Sequence, residues 1–237
     1  LLGKDVDDDR LKTLLTHQFS YLELIDQQVG KLLETLDTDG ILDDTVVVFT
    51  ADHGDMAGSH GFLSKGAYMY DEIYRIPLIV KLDGQQEANR LTGLVNLMDL
   101  TASCLHLMSG EEQSLMGNNE LHGESFVPYL REEAEWDRQV NYCEYHGDWF
   151  GHASLRMVTD GKWKLVLNMT DTCEFYNLEE DPAELNNLFY DPRVKTIRNH
   201  YFDLLIEKSK RWNDGQVRNY SPEIEDALHN SAGVPKM

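Results

Sequence analysis

Three polar residues in one short stretch of this sequence could act together on an anion. Asp52 and His53 are adjacent, and Lys65 follows twelve residues later. An aspartate offers an anionic oxygen and a neutral histidine offers a ring nitrogen, so neighbours on a turn can hold one divalent cation. An ammonium near that cation helps most when both contact the same anion, because together they neutralise its oxygens in the transition state. The pattern predicts metal ligands at Asp52 and His53 and a catalytic, substrate-binding ammonium at Lys65.

His60 lies between these positions, within Gly58-Ser59-His60-Gly61. A histidine can donate a proton to a leaving group, although a structural or substrate-rim histidine fits the spacing equally well. Simpler explanations exist for the others as well. Asp52 could accept backbone N–H bonds in a turn beside an inert His53, and Lys65 could be an ordinary solvent-exposed loop residue.

A buried strand must place Asp52 and His53. The β-branched run over residues 45–50 shows no alternation, which is typical of a strand buried on both faces, as in a parallel sheet. Ligands of open parallel sheets collect at the carboxyl ends of the strands. Both residues follow this strand directly, so their position suits a metal site.

Helices and further strands surround that segment. Apolar residues recur at helical spacing between Leu11 and Leu36, which predicts a long amphipathic helix with Asp8 or Asp9 at its start and Gly40 after its end. Asp160-Gly161 is typical of a hairpin turn. The remaining predicted elements are a strand at 77–80, a helix from Asp99 through Leu107, hairpin strands at 154–159 and 162–167, a strand at 174–178 and a helix from Asp191 to about Arg211.

With these residues in view, the segment 45–84 resembles the C-terminal metal-site segment of the sulfatases, in the alkaline phosphatase superfamily. The similarity continues through most of residues 17–190. Further matching segments are Tyr21 to Gly30, Asn96 to Thr101, His122 to Phe126, Arg156 to Leu167, Phe175 to Leu178, Asp181 to Glu184, and Asn187-Leu188.

The resemblance implies an α/β fold: part of an alkaline-phosphatase-like sheet flanked by helices, followed by a small antiparallel sheet with a C-terminal helix. Gly, Asn and Glu become frequent from about residue 111, so we expect residues 1–110 to be the C-terminal part of the main α/β domain and residues 111–237 a connector plus a small C-terminal α+β subdomain. The resemblance further implies a divalent cofactor, calcium with manganese or zinc as alternatives, held by Asp52 and His53. Lys65 would contact the sulfate oxygens.

The resemblance also shows what this chain does not carry. The family's nucleophile is a formylglycine made from Cys or Ser in a C/S-x-P-x-R motif, and no Cys or Ser of this sequence stands in that motif. We therefore expect a missing N-terminal segment to supply the nucleophile. The sequence predicts that the isolated chain is inactive and binds metal weakly, because two ligands cannot satisfy calcium.

The substrate expected from the resemblance is a small-molecule or carbohydrate sulfate ester. Two rivals stay open: a phosphonate monoester or phosphodiester hydrolase on the same scaffold, and a noncatalytic fragment or binding module. His146 and Arg156 are candidate substrate-binding residues, with Tyr145 and Trp149 beside them at a pocket mouth, because aromatic rings stack on sugars and arginine pairs with anions. Ordinary packing around the small sheet explains these four residues equally well.

Composition excludes several other classes. The formal net charge of −21 disfavours binding to nucleic acid, and no apolar run is long enough to predict a membrane span. Cys104, Cys143 and Cys173 form no CxxC pair, which indicates buried thiols rather than a disulfide framework or a zinc finger. The compartment is left open, since no leader is visible in this sequence.

Overall fold

A computed structural model describes residues 7–85, 87–109, 121–148, 151–217, 220–224 and 226. The chain divides into two compact units, Leu1–Arg90 and Leu91–Met237, which we call the first and the second unit. The predicted domain boundary near residue 110 stays a prediction.

The first unit contains a long helix and a two-stranded sheet. Helix α1 spans Asp8–Thr38, as the apolar spacing predicted. Its N-cap is Asp7 rather than Asp8 or Asp9: Asp7 has extended backbone angles, and its Oδ1 accepts the Arg10 N–H at 2.8 Å. The other elements are strand β1 (Val47–Thr50), helix α2 (Asp71–Tyr74) and strand β2 (Leu78–Lys81).

The prediction of a parallel neighbour for β1 was wrong within the described part of the chain. Strand β1 pairs with β2 in antiparallel register, Val48 opposite Val80. Burial on both faces is incomplete as well, since Phe49 is 42% and Ile79 64% exposed. A run of β-branched residues reports strand propensity and expected burial, and it carries no information about the direction of the neighbouring strand.

The second unit is built on a four-stranded antiparallel sheet. Its strands, in the order β3-β4-β5-β6, are Asn141–Asp148, Gly151–Thr159, Trp163–Asn168 and Glu174–Asn177. The hairpin at Asp160-Gly161 and the strand at 174–178 are confirmed, and Gly161 has φ 85°. Strand β3 was not predicted, although Tyr142, Cys143 and Tyr145 gave it a strand-like composition.

Of the helices described in the second unit, the longest packs on this sheet. Helix α3 spans Leu97–Ser109, α4 spans Val127–Leu130, and α5 spans Lys195–Arg211 after a 3-10 turn at Pro192–Val194. The predicted helices near Asp99 and after Asp191 are thereby confirmed. The main core joins α5 to one face of the sheet, and its buried members are Tyr142, Val158, Leu165, Leu167, Cys173, Phe175, Phe189, Tyr201, Phe202, Leu205 and Val217.

The cysteines follow the prediction only in part. Cys173 is buried and Cys143 is half-buried, but Cys104 on α3 is exposed. All three are free thiols, as expected from their spacing. Among the described residues, no helix is both long enough and apolar enough to span a bilayer.

Candidate functional site

The turn after β1 presents Asp52 to solvent in a fixed orientation. Oδ1 of Asp52 accepts the backbone N–H of His53 at 2.9 Å, and the side chain is 85% exposed. This hydrogen bond from the His53 amide, together with the nearby Lys65 ammonium, lowers the pKa of Asp52 below its ordinary value. Asp52 therefore presents an ionised carboxylate at neutral pH.

The hydrogen bonds of His53 fix which ring nitrogen carries the proton. Nδ1 lies 2.8 Å from the carbonyl oxygen of Gly54, which can only accept, so Nδ1 is the donor. Nε2 lies 2.8 Å from Nζ of Lys65, an ammonium that can only donate, so Nε2 carries a lone pair. A histidine that gives one N–H to a backbone carbonyl and offers its other nitrogen outward has the arrangement of a metal ligand.

Two donor atoms and one cation converge at this point. Nε2 of His53 and Oδ2 of Asp52 are 3.4 Å apart, and the Lys65 ammonium rests against Nε2. The pair fits a divalent cation in charge and ligand type, and the Lys65 ammonium is a stand-in positive charge beside it. No group of three or more His, Cys, Asp or Glu residues that could hold a metal occurs in the described ranges. That Asp52 and His53 supply half of a metal site stays a prediction.

Two glycines make this geometry possible. Gly54 donates its N–H to the Ile73 carbonyl at 2.9 Å, and a Cβ at Gly54 would lie 1.8 Å from the Glu72 carbonyl oxygen. The turn therefore packs backbone against backbone on α2. Next to Lys65, a Cβ at Gly66 would lie 2.5 Å from the ring of Tyr68, whose hydroxyl donates to the Ser64 carbonyl.

His60 is held by a ring stack. Its imidazole lies parallel to the phenol ring of Tyr70, with centroids 3.8 Å apart and planes 9° from parallel. Nε2 is inaccessible to solvent and has no hydrogen-bond partner among the described residues. Tyr70 was not predicted as a site residue. The signal that could have found it is the pair of alternating tyrosines, Tyr68 and Tyr70, that follows the candidate catalytic His60 in the sequence.

The other two predicted site residues, His146 and Arg156, meet in the second unit. Arg156 is fully buried, Nε donates to Asp214, and Nη2 donates to Nε2 of His146 at 3.1 Å. Burial alone would raise the pKa of Asp214, but hydrogen bonds from Arg156, the Gln216 amide and Tyr142 outweigh it and lower that pKa. His146 is 53% exposed. Substrate binding by this pair stays a prediction, and Trp149 lies outside the described residues.

Comparison with known protein families gives two matches. Residues 3–111 match the Sulfatase family. Residues 58–211 match the family described as N-sulphoglucosamine sulphohydrolase, C-terminal. The second match alone covers more than half of the chain.

Individual relatives agree with these matches. The chain is 31% identical over 189 residues to the uncharacterized sulfatase YidJ of Escherichia coli, 29% over 223 residues to an N-acetylglucosamine-6-O-sulfatase of Bacteroides thetaiotaomicron and 30% over 238 residues to a choline-sulfatase of Rhizobium meliloti. These alignments cover 80%, 90% and 98% of this chain. The chain spans less than half of each relative, namely 37%, 39% and 45% of their lengths.

Solved structures share the fold. A putative sulfatase from Bacteroides thetaiotaomicron aligns with a TM-score of 0.78 and 25% identity, over 92% of this chain and 49% of that one. A phosphonate monoester hydrolase of Agrobacterium radiobacter aligns with a TM-score of 0.67 and 25% identity, over 79% of this chain and 39% of that one. The fold class expected from the sequence is confirmed.

Proposed function

Because the chain belongs to the sulfatase family of the alkaline phosphatase superfamily and resembles a C-terminal portion of it, we propose that its full-length protein is a sulfuric ester hydrolase. One observation carries the proposal beyond family membership: Asp52, His53 and Lys65 converge, with Nζ of Lys65 2.8 Å from Nε2 of His53. Two metal-type donors and an ammonium at one point are what hydrolysis of an anionic ester needs.

Asp52 and His53 would hold a divalent metal, with calcium as the first expectation and manganese or zinc as alternatives. The bound metal would supply Lewis-acid polarisation of a sulfate oxygen. The exposed, ionised Asp52 carboxylate and Nε2 of His53, which here accepts from Lys65, would be its protein ligands. The Gly54 carbonyl holds the His53 ring in the tautomer whose Nε2 carries the lone pair, and a bound metal would replace the Lys65 ammonium at that atom.

Lys65 would bind the sulfate and stabilise its charge in the transition state. Its ammonium contacts His53 and lies on the exposed part of the loop, where an anion can reach it. The chain as a whole repels anions through its net charge of −21, so local positive charge at this point is required for substrate binding. His60 would donate a proton to the leaving-group oxygen, since its Nε2 has no hydrogen-bond partner among the described residues.

The nucleophile would come from a segment upstream of these residues in the full-length protein. No Cys or Ser of the present sequence lies in the C/S-x-P-x-R motif, and the relatives are more than twice as long as the aligned region. We expect the 237-residue chain alone to hydrolyse no sulfate ester. The substrate class is a small-molecule or carbohydrate sulfate ester, in line with the amino-sugar and choline esters in the names of two relatives.

The test is sulfate release from an aryl sulfate by the full-length protein, with mass spectrometry of the nucleophile position for formylglycine. Replacing Lys65 by Ala should lower kcat/KM by roughly 100- to 1000-fold, the effect typical of one lost anion-stabilising donor. Lys31→Ala on the exposed surface of α1 is the matched control and should leave kcat/KM unchanged. Absence of sulfate release, or equal activity of the two variants, would contradict the proposal.

A phosphonate ester hydrolase is the second candidate, because a solved structure of that activity shares the fold. Parallel assays with an aryl sulfate and an aryl phosphonate of the same leaving group decide between them. A higher kcat/KM on the phosphonate would make this candidate the better one. The remaining alternative, a noncatalytic module, predicts activity on neither ester.

A further inference from the structure

The loop that carries His60 has an unusual backbone. Ala57 and His60 have φ of 50° and 54°, and Gly58 and Gly61 have φ of 102° and 75°. Ala57 and His60 are not glycines, and non-glycine residues adopt positive φ angles only at a cost in free energy. Strained non-glycine residues cluster at functional sites, where the surrounding structure holds a side chain in one orientation.

Local hydrogen bonds hold this backbone in place. The N–H of Gly58 donates to the Phe62 carbonyl at 2.8 Å, and the N–H of Ser59 donates to the Met56 carbonyl at 2.7 Å. The Met56 side chain is fully buried and anchors the start of the loop. The loop therefore closes on itself and presents His60 from a rigid base.

The ring of Tyr70 sets the plane of the His60 imidazole. Tyr70 lies parallel to it at a centroid distance of 3.8 Å, and the buried Nε2 has no hydrogen-bond partner among the described residues. A hydrogen bond normally orients a histidine ring. No such hydrogen bond forms at Nε2 of His60 among the described residues. The stacked ring of Tyr70 orients the imidazole instead.

We propose that Tyr70 is a positioning residue, which fixes the plane of the His60 ring by stacking and thereby sets the direction of Nε2 relative to the leaving-group oxygen. This inference rests on the proposed function, in which His60 gives a proton to that oxygen as its bond to sulfur breaks. Because Tyr70 acts through the flat face of its ring, phenylalanine at this position should preserve the orientation of His60, and an aliphatic residue should not.

Histidine-labelled NMR of the 237-residue chain tests the stack directly. The ring protons of His60, assigned with a His60→Gln variant, should lie upfield because they face an aromatic ring. Tyr70→Leu should remove this shift, and Tyr70→Phe should keep it. Phe62→Leu is the matched control, because it removes a neighbouring stack, Phe62 on Tyr68 at 4.6 Å, that does not include His60.

Kinetics of the full-length protein test the consequence. Tyr70→Leu should lower kcat roughly 10- to 100-fold, part of the usual contribution of a general acid, with KM within about twofold of wild type. Tyr70→Phe and Phe62→Leu should both keep kcat within about twofold. Far-UV circular dichroism excludes loss of folding in Tyr70→Leu, and the Phe variant tests the ring requirement independently of it.

The outcomes separate this inference from the function on which it rests. Unshifted His60 protons in the wild type, or an unchanged kcat in Tyr70→Leu, would overturn the positioning role. If the wild type hydrolyses no sulfate ester while the His60 shift is present and disappears in Tyr70→Leu, the proposed function fails and the positioning by Tyr70 stands.

Discussion

The two units of this chain place their charged residues in opposite ways. In the first unit, Lys65 contacts His53 in an exposed loop. In the second unit, Lys164 and Glu184 form an ion pair at 2.8 Å, with both side chains 1% exposed. An exposed ammonium can bind a ligand, whereas a buried, paired ammonium can only hold the fold together.

Apolar residues show the same contrast. None of the 31 residues of α1 is buried, and its exposed side chains include Leu14, Tyr21, Ile25 and Leu32. In the second unit, α5 buries Tyr201, Phe202 and Leu205 against the sheet. The unit with the candidate chemistry thus has the smaller core, and the buried Lys164–Glu184 pair lies in the unit with the larger core.

Among the substitutions that test this comparison, Lys164→Met should have the largest effect on the free energy of unfolding. The substitution leaves Glu184 buried without its ammonium and should lower the free energy of unfolding of the second unit by about 3–5 kcal/mol. All four tryptophans lie at positions 136, 149, 163 and 212, so tryptophan fluorescence in urea follows this unit. Lys65→Met is the control, with a change below about 0.5 kcal/mol. Equal losses of stability in Lys164→Met and Lys65→Met would contradict the contrast between the two lysines.

Leucine substitutions compare the two apolar environments. Leu205→Ala empties a fully buried position in the main core and should cost about 2–5 kcal/mol, because it leaves a cavity. Leu22→Ala on α1, where the side chain is 54% exposed, should cost below about 1 kcal/mol. Urea unfolding followed by far-UV circular dichroism and fluorescence measures both. A cost for Leu22→Ala as large as for Leu205→Ala would show that the apolar face of α1 is covered in solution.

A buried carboxyl makes the stability of the second unit depend on pH. Burial raises the pKa of Glu174 to about 7 from an ordinary value of 4.5, with Tyr176, Glu184, Lys164 and Asp171 as its titratable neighbours. The folded state therefore holds this proton more tightly than the unfolded state. Its contribution of about 3 kcal/mol is complete below pH 4.5 and is lost as the pH rises through 7.

Urea unfolding between pH 5 and pH 8, wild type against Glu174→Gln, measures that dependence. The glutamine variant should show a flatter profile, and the subtraction cancels other titrating groups. Asp214 and Asp226 have lowered pKa values, so their contributions are lost only in acid, below this window. Identical slopes in the two proteins would show that Glu174 titrates normally.

The smallest effect on stability is expected at the candidate metal ligands. Asp52→Asn should change the free energy of unfolding by less than about 0.5 kcal/mol, because the side chain is exposed. In the full-length protein the same substitution should weaken calcium binding at least roughly tenfold by calorimetric titration. The isolated chain should bind calcium weakly, and a dissociation constant below about 1 μM would contradict the half-site assignment.

Much of the local structure could be predicted from the sequence. The spacing of apolar residues gave α1, Asp191-Pro192 gave the start of the C-terminal helix, and Asp160-Gly161 gave the β4–β5 hairpin, because these signals depend on neighbours within a few residues. The antiparallel partner of β1 and the strand β3 escaped prediction. Both depend on pairing with residues far along the chain, which a local pattern does not encode.

For the candidate site, the sequence by itself determined the residue types and the family: an aspartate and a histidine on one turn, a lysine twelve positions later, and the resemblance to sulfatases. Only the tertiary structure decided that Lys65 reaches His53, that Tyr70 stacks on His60, and that Arg156 is buried against Asp214. Spacing along a chain limits what can meet, but the packing of backbone, as at Gly54 against Glu72, fixes which side chains do.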